Sequence, residues 1–335
     1  MVQPLLHKDG VVLNKIIQGH VLDVLKTFPD ESVDCCVTSP PYWGLRAYGT
    51  EPQLWDDGWL GELGLEPSYQ LYLQHLLQIF DEIKRVLKKT GTCFVNLGDT
   101  YAGSGCGTND YRTEASKSIQ GIGKNKELYK TGGIAQKIKD IQPKSLIGIP
   151  ERFAIGMSDR GWIRRNTIIW YKRNCMPASV TDRFTVDFEY VYYFVKSQKY
   201  WFEQQFEPHL WAEKDKRSQR NWNENKAKSG KMIKQRYAMG QVSYGKNGRN
   251  MRCVWDIPTK SFSGAHFATF PETLVIPIIK SGCPIGGIVM DPFSGAGTTC
   301  LVAKKLSRQY LGIEINSEYI KMSEQRIAQE CGTLI

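Results

Sequence analysis

The sequence predicts an α/β fold, and three stretches predict it. Ile288-Val289-Met290-Asp291-Pro292-Phe293-Ser294-Gly295-Ala296-Gly297-Thr298-Thr299 reads as a hydrophobic strand, a Gly-rich turn and a helix start. The next strand, Tyr310-Leu311-Gly312-Ile313-Glu314, ends in an acid about 20 residues on, the register in which nucleotide-binding turns grip ribose hydroxyls. Far upstream, the β-type run Ser32-Val33-Asp34-Cys35-Cys36-Val37 leads into Thr38-Ser39-Pro40-Pro41-Tyr42-Trp43. Between them, Tyr69 to Leu87 carries Leu73, Leu76, Leu77, Phe80, Ile83 and Leu87 at helical spacing, and a strand follows at Cys93-Phe94-Val95-Asn96-Leu97. Such alternation builds a largely parallel sheet covered by helices.

Two consecutive prolines stop the first run. Neither donates a backbone hydrogen bond, and each holds φ near about −65°. The loop is therefore stiff, and its carbonyls, outside the strand ladder, can face a ligand. Ser39 adds a hydroxyl; Tyr42 and Trp43 add flat π-faces. Acceptors beside an aromatic plate suit a planar, amine-bearing ring such as a nucleobase. Taken alone, the stretch reads equally well as a Pro-Pro turn capped by two core aromatics. In the second stretch the glycines permit close approach of backbone to a ligand at a helix N-terminus. No Lys follows Gly297, so this is not a phosphate-gripping P-loop, and the absence of a full GxGxxG favours a nucleoside over a dinucleotide.

In this combination and order, TSPPYW followed by DPFSGAGTT resembles the amino-group DNA methyltransferases that use S-adenosylmethionine (SAM), with the motif order of the permuted beta class. The likeness covers most of the chain, with gaps near residues 100–145 and 205–255. It implies a mixed, mostly parallel, seven-stranded Rossmann-like sheet with helices on both faces, plus a basic target-recognition insertion. Residues 1–200 would form the catalytic half, with a flexible loop at 102–142. Residues 201–260 would form the insertion and 261–335 the SAM-binding half. The resemblance assigns catalysis to Ser39, Pro40, Pro41 and Tyr42, acting on the exocyclic amine of a flipped-out base. It assigns SAM binding to Asp291, Pro292, Phe293, Ser294, Gly295, Gly297, Thr298, Thr299 and Glu314. His266, Phe267, Phe270 and Pro271 match the segment that wraps the methionine end of SAM. Asp99 is expected beside the Ser39 loop as a cofactor or supporting residue; a plain turn Asp is the alternative. The loop from Lys172 to Phe184 matches one that borders the target base. Where the family carries an acid placed to contact the SAM adenine, Gly19 is here followed by His20, a departure. A Ser at the head of the PPY loop goes in this family with N4 of cytosine, and an Asp or Asn with N6 of adenine. The expected product is therefore N4-methylcytosine, with N6-methyladenine as the alternative.

At 335 residues the chain can bury one large core with an insertion. Its net charge of +10 suggests a polyanionic partner. Most of that charge lies between Trp211 and Arg252: twelve Lys/Arg against three acids, or 12 − 3 = +9. Trp211, Trp222, Tyr237 and Tyr244 interleave with them, so Lys231, Lys234, Arg236, Arg249 and Arg252 are the candidate contacts to double-stranded DNA. A solvated charged insertion is the competing reading. The nine cysteines form no CxxC pair, which points to reduced thiols and predicts no metal site. No apolar run approaches the roughly 20 residues of a membrane span, and Met1 to Gln18 lacks a signal-peptide core. These features fit a prokaryotic or phage-encoded cytoplasmic protein, a monomer or homodimer, with room for a restriction endonuclease acting separately.

Other classes explain less. A nicotinamide-dependent dehydrogenase needs a fuller glycine turn and leaves SPPYW unexplained. A non-catalytic DNA-binding regulator has no use for Ser39 and Asp291 together. An RNA methyltransferase meets the same amines and stays open.

Overall fold

The computed structural model describes residues 13–44, 50–103, 138, 140–175, 178, 180–207, 249–259 and 270–329. β1 (Lys15–Gln18) leads into α1 (Val21–Lys26) and then β2 (Val33–Thr38). Two short strands, β3 (Gln53–Leu54) and β4 (Leu60–Gly61), pair as a hairpin ahead of α2 (Tyr69–Val86). The apolar spacing of α2 buries Tyr72, Leu76, Ile79, Phe80 and Ile83. The Ser68 hydroxyl caps its start, accepting from the Leu71 N–H at 3.2 Å. β5 (Leu87–Leu97) follows directly and begins earlier than its apolar core predicts, because Leu87 already pairs with Val33.

Next come α3 (Ile149–Asp159), β6 (Ile163–Tyr171), β7 (Phe188–Val195), β8 (Phe206–Glu207), β9 (Arg249–Asn250) and β10 (Val254–Asp256). The chain ends its regular structure with α4 (Glu272–Gly282), β11 (Ile288–Asp291), α5 (Thr298–Lys305), β12 (Gln309–Glu314) and α6 (Ser317–Gln329). The main sheet runs β1-β12-β11-β2-β5-β7-β6-β10. Only β7 runs against its neighbours, pairing antiparallel with β5 and β6; the other pairs are parallel. The expected α/β architecture is present, with one correction to the strand number, eight in place of seven. The added strand is β10, which pairs with β6 through Val254–Ile169, buries Trp255, and is fastened by the Trp170 Nε1–H donating to the Ile257 carbonyl at 2.7 Å.

Helices cover both faces. Cys93, Val95 and Leu97 of β5 join α1, α2 and α3 in one apolar cluster. On the opposite side α4 packs on β2 and β5, where the Thr92 hydroxyl donates to the Gly282 carbonyl at 2.7 Å. The central strands β2 and β11 are buried along nearly their whole length, which is why both read as continuous apolar runs and not as alternating ones.

The chain divides into two compact units, Met1–Glu203 with Cys253–Ile335, and Gln204–Arg252. The described part of the second is the β8–β9 pair with its flanking residues. Most of 102–142 lies outside the described residues, as does 208–248. Among the described residues Cys35, Cys36, Cys93, Cys283 and Cys300 are buried free thiols, and no helix is long and apolar enough to cross a membrane.

Candidate active site at the carboxyl ends of the strands

The carboxyl ends of β1, β2, β5, β11 and β12 open onto one cleft of about 410 Å³, as ligand sites in α/β sheets do. Gly19 and His20 follow β1; Ser39, Pro40, Pro41 and Tyr42 follow β2; Asn96 closes β5; Asp291 to Ala296 follow β11; Glu314 and Asn316 follow β12. Two stretches some 250 positions apart in sequence thus share a wall, because β2 and β11 are paired neighbours.

On the glycine-turn side, Asp291 is buried. The Thr38 and Thr299 hydroxyls each donate to its carboxylate at 2.7 Å, and the Phe293 N–H donates at 3.1 Å. Burial pushes Asp291 up to about 6, although these hydrogen bonds pull the other way. Glu314 accepts from the Gly295 N–H and the Asn316 N–H, both at 2.8 Å, and burial raises its pKa too. Pro292, Phe293, Ser294, Gly295, Thr298 and Phe270 line the cleft beside them. Four expected cofactor contacts sit elsewhere. Thr299 is fully buried and reaches the cleft only through Asp291. Gly297 is turned toward Ser323 of α6, Pro271 caps the start of α4, and Asp99 spends its carboxylate on the N–H groups of Gly148 and Ile149 at 2.9 and 3.0 Å, capping α3. His266 and Phe267 lie outside the described residues. His20 does line the cleft, edge-on to Trp55 with ring centres 5.2 Å apart, and burial lowers its pKa.

On the proline side, Tyr42 is the hub. Its hydroxyl donates to Glu189 Oε2 at 2.9 Å and lies 3.2 Å from Asn96 Oδ1, while the Ser39 hydroxyl donates to it at 3.4 Å. Lys172 closes the group with an ion pair to Glu189. Asn96 and Glu189 line the cleft but were missed in the sequence, while Lys172, which also lines it, opens the loop expected to border the target base. Asn96 offered one signal, a polar residue inside the apolar run of β5; Glu189 offered none until β7 was seen folded beside β5 and β6. Trp43 does not present a ring to the cleft. It is buried, with its indole N–H donating to the Glu66 carbonyl at 3.0 Å, and the Tyr72 hydroxyl holds the Pro41 carbonyl at 2.8 Å.

The described residues of 46–64 are pinned. His75 of α2 lies between Asp57 (2.9 Å) and the fully buried Glu66 (3.0 Å), with the Trp55 ring stacked on it at 4.0 Å. Thr50, Gln53, Glu62 and Leu63 of this hairpin region line the cleft, so the clamp fixes one of its walls. Burial alone would lower the His75 pKa; the bonds to Glu66 and Asp57 outweigh it and hold it above the usual value. That stabilisation is complete below the unfolded-state value near about 6.5 and is lost as pH rises through the raised folded value. Replacing His75 by Ala is therefore expected to cost about 3 kcal/mol in urea unfolding at about pH 6, because the buried Glu66 loses its charged partner and keeps only the Gly64 N–H, and less at about pH 9. Equal costs at both would reduce the clamp to packing.

Of the candidate DNA contacts, Lys231, Lys234 and Arg236 lie outside the described residues. Arg249 and Arg252 both place Nε beside Glu207, at 2.8 and 2.7 Å, so each is already shared with a carboxylate.

This geometry suits transfer to a planar amine, and comparison with known proteins names the family. The model of the N6/N4 DNA methylases matches residues 33–325, from the start of β2 into α6. The Type II methyltransferase M.XycI of Xanthomonas campestris pv. cyanopsidis is 35% identical over 336 residues, covering 100% of this chain and 95% of its own. The chain belongs to the N6/N4 DNA methylase family. Two solved structures share the methyltransferase's fold. TTHA0409 of Thermus thermophilus, complexed with S-adenosyl-L-methionine, has a TM-score of 0.56 at 21% identity, with 96% of this chain and 95% of that one covered. The cytosine-N4-specific PvuII DNA methyltransferase has a TM-score of 0.58 at 18% identity, with 93% and 85% covered. The methyl donor is S-adenosyl-L-methionine, and the methyltransferase's cleft fits it chemically. Glu314 can accept from ribose hydroxyls, and Asp291, raised by burial, suits a ligand carrying a sulfonium and an ammonium.

Proposed function

We propose that this methyltransferase modifies the N4 amine of a cytosine flipped out of double-stranded DNA. The observation that carries the reading is the Ser39 hydroxyl and the Pro-Pro-Tyr loop opening onto the same cleft as Gly295 and Glu314. An exocyclic amine has its lone pair delocalised into the ring and is a weak nucleophile. Acceptors that bond its N–H groups concentrate density on nitrogen, and in this reading the Ser39 hydroxyl and Pro40 carbonyl, from residues that line the cleft, do this. SAM supplies an electrophilic methyl group on a positively charged sulfur. The protein's part is to align the amine with it, and positioning of this kind supplies much of the barrier lowering. Because the amine sits inside the duplex, extrusion of the base costs a few kcal/mol, which stacking in the cleft offsets.

Ser39 supports cytosine over adenine. The cytosine ring is the smaller, and the Ser39 hydroxyl, its proton turned to Tyr42, can accept from N4. The PvuII enzyme, whose fold this chain shares, is cytosine-N4-specific. Lys231, Lys234 and Arg236, with Arg249 and Arg252, would grip DNA phosphates.

Nucleoside mass spectrometry of DNA from expressing cells is expected to show N4-methylcytosine. Finding only N6-methyladenine would move the assignment to adenine within the same chemistry, and methylated RNA without methylated DNA would replace the substrate. The Ser39→Ala variant is expected to lose about 10²–10⁴ in single-turnover rate while keeping SAM and DNA affinity; an unchanged rate removes Ser39 from the chemistry.

A further inference from the structure

We propose that Glu189 is the final acceptor of the proton shed by the target amine, reached through Ser39 and Tyr42; this rests on the amino-methyltransferase reading above. The side chains form a continuous chain of donors. Ser39 Oγ–H points to Tyr42 Oη at 3.4 Å, and Tyr42 Oη–H points to Glu189 Oε2 at 2.9 Å. Asn96 Nδ2 donates to the same oxygen at 3.0 Å and to the Tyr190 carbonyl at 3.0 Å, fixing the carboxylate from β5. Lys172 occupies the other oxygen. All five groups line the cleft, and Glu189 and Lys172 are mostly buried, with side chains 21% and 17% exposed. Asp291 and Glu314, which also line it, are held on the glycine-turn side by threonine hydroxyls and backbone N–H groups.

The reaction needs such an acceptor. As the N–C bond forms from the nitrogen lone pair, the C–S bond breaks and its electron pair leaves with sulfur as a neutral thioether. The nitrogen is then positively charged and must lose one proton to become the methylated amine. Ser39 Oγ accepts that proton and passes its own to Tyr42 Oη. Tyr42 passes its own to Glu189 Oε2, which becomes a carboxylic acid. Serine and tyrosine are neutral before and after, so no phenolate forms. That matters because burial, and then the neighbouring Glu189 charge, push Tyr42 well above the usual tyrosine range. The positive charge brought by the methyl donor is cancelled by the carboxylate. Lys172 pairs with Glu189 between turnovers, and the proton leaves to water. The charged or titratable groups facing Glu189 are Tyr42, from the loop after β2, and Lys172, just past β6; β5 contributes the neutral Asn96.

A residue that merely orients Tyr42 would look similar in a static structure, so the test separates the two roles. Glu189→Gln keeps the shape and can still accept from Tyr42, but takes no proton. In single-turnover methylation of duplex DNA it is expected to be about 10²–10⁴-fold slower, with unchanged affinity for SAM and DNA, and to lose the low-pH limb of the rate profile. Tyr42→Phe should be comparably slow, and the double variant no slower than the slower single one, because the groups act as a unit. Without donor or DNA, the Tyr42 signal of protein labelled with ¹³C at tyrosine Cζ (the one missing in Tyr42→Phe) should shift in both Ser39→Ala and Glu189→Gln. A Glu189→Gln rate within about threefold of wild type, a double variant whose losses multiply, or a Tyr42 signal blind to Glu189 overturns the relay alone. Wild-type protein that leaves DNA unmethylated overturns the relay and the functional reading together.

Discussion

Gly295→Val is expected to weaken SAM binding by about 100-fold or more, equivalent to about 2.7 kcal/mol, while leaving the protein folded. Gly295 sits at φ 48° and donates its N–H to Glu314 Oε2. A side chain in this left-handed region costs about 1–2 kcal/mol, and more when β-branched. A Cβ there meets nothing nearer than the Phe293 carbonyl at 4.0 Å, so the added methyls project into the cleft that Gly295 lines and not into the core. Gly297 provides the contrast. It has φ 75°, and a Cβ there would come within 2.5 Å of Ser323 Cβ, so Gly297→Ala should fail by dislodging α6 from the turn. Calorimetry with each variant, alongside thermal melts, distinguishes loss of ligand from loss of fold. Unaltered SAM affinity in Gly295→Val would show that the donor does not use this turn.

Affinity for DNA is expected to fall by about 10³ or more between about 50 and 200 mM salt, if some six cations of the basic segment contact phosphates. The +9 excess between Trp211 and Arg252 is the reason for expecting so many. Neutralising Lys231, Lys234 and Arg236 together should reduce the slope of log affinity against log salt by about 2.7, since each released counterion contributes about 0.9. SAM affinity should be unchanged. Arg249 and Arg252 should contribute less per residue, because Glu207 already sits 2.8 and 2.7 Å from them. An unaltered slope in the triple variant would make the segment a solvated insertion.

Both halves of the cleft could be read from the chain because each is a local construction. Pro40 and Pro41 stop β2 whatever lies around them, and the turn before α5 depends on glycines that tolerate positive φ at 295 and 297. Apolar period and run length likewise made α2 and the β11–α5–β12 unit visible before folding. What the sequence by itself determined, then, are the strand-end loops, the glycine turn, the acid at Glu314 and the placing of nearly all the excess charge in one segment. The tertiary structure alone decided which side chains meet. Glu189 becomes part of the site only because β7 inserts antiparallel between β5 and β6, bringing it to Asn96, Tyr42 and Lys172. Asp99 is drawn away from the cleft because the exposed N–H groups at the start of α3 compete for its carboxylate. His75 clamps the hairpin because α2 carries it between two acids, one on the hairpin turn and one beyond it. Backbone constraints act over a few residues and so are written in order along the chain. Side-chain partnerships across a sheet depend on register and topology, which no short stretch contains.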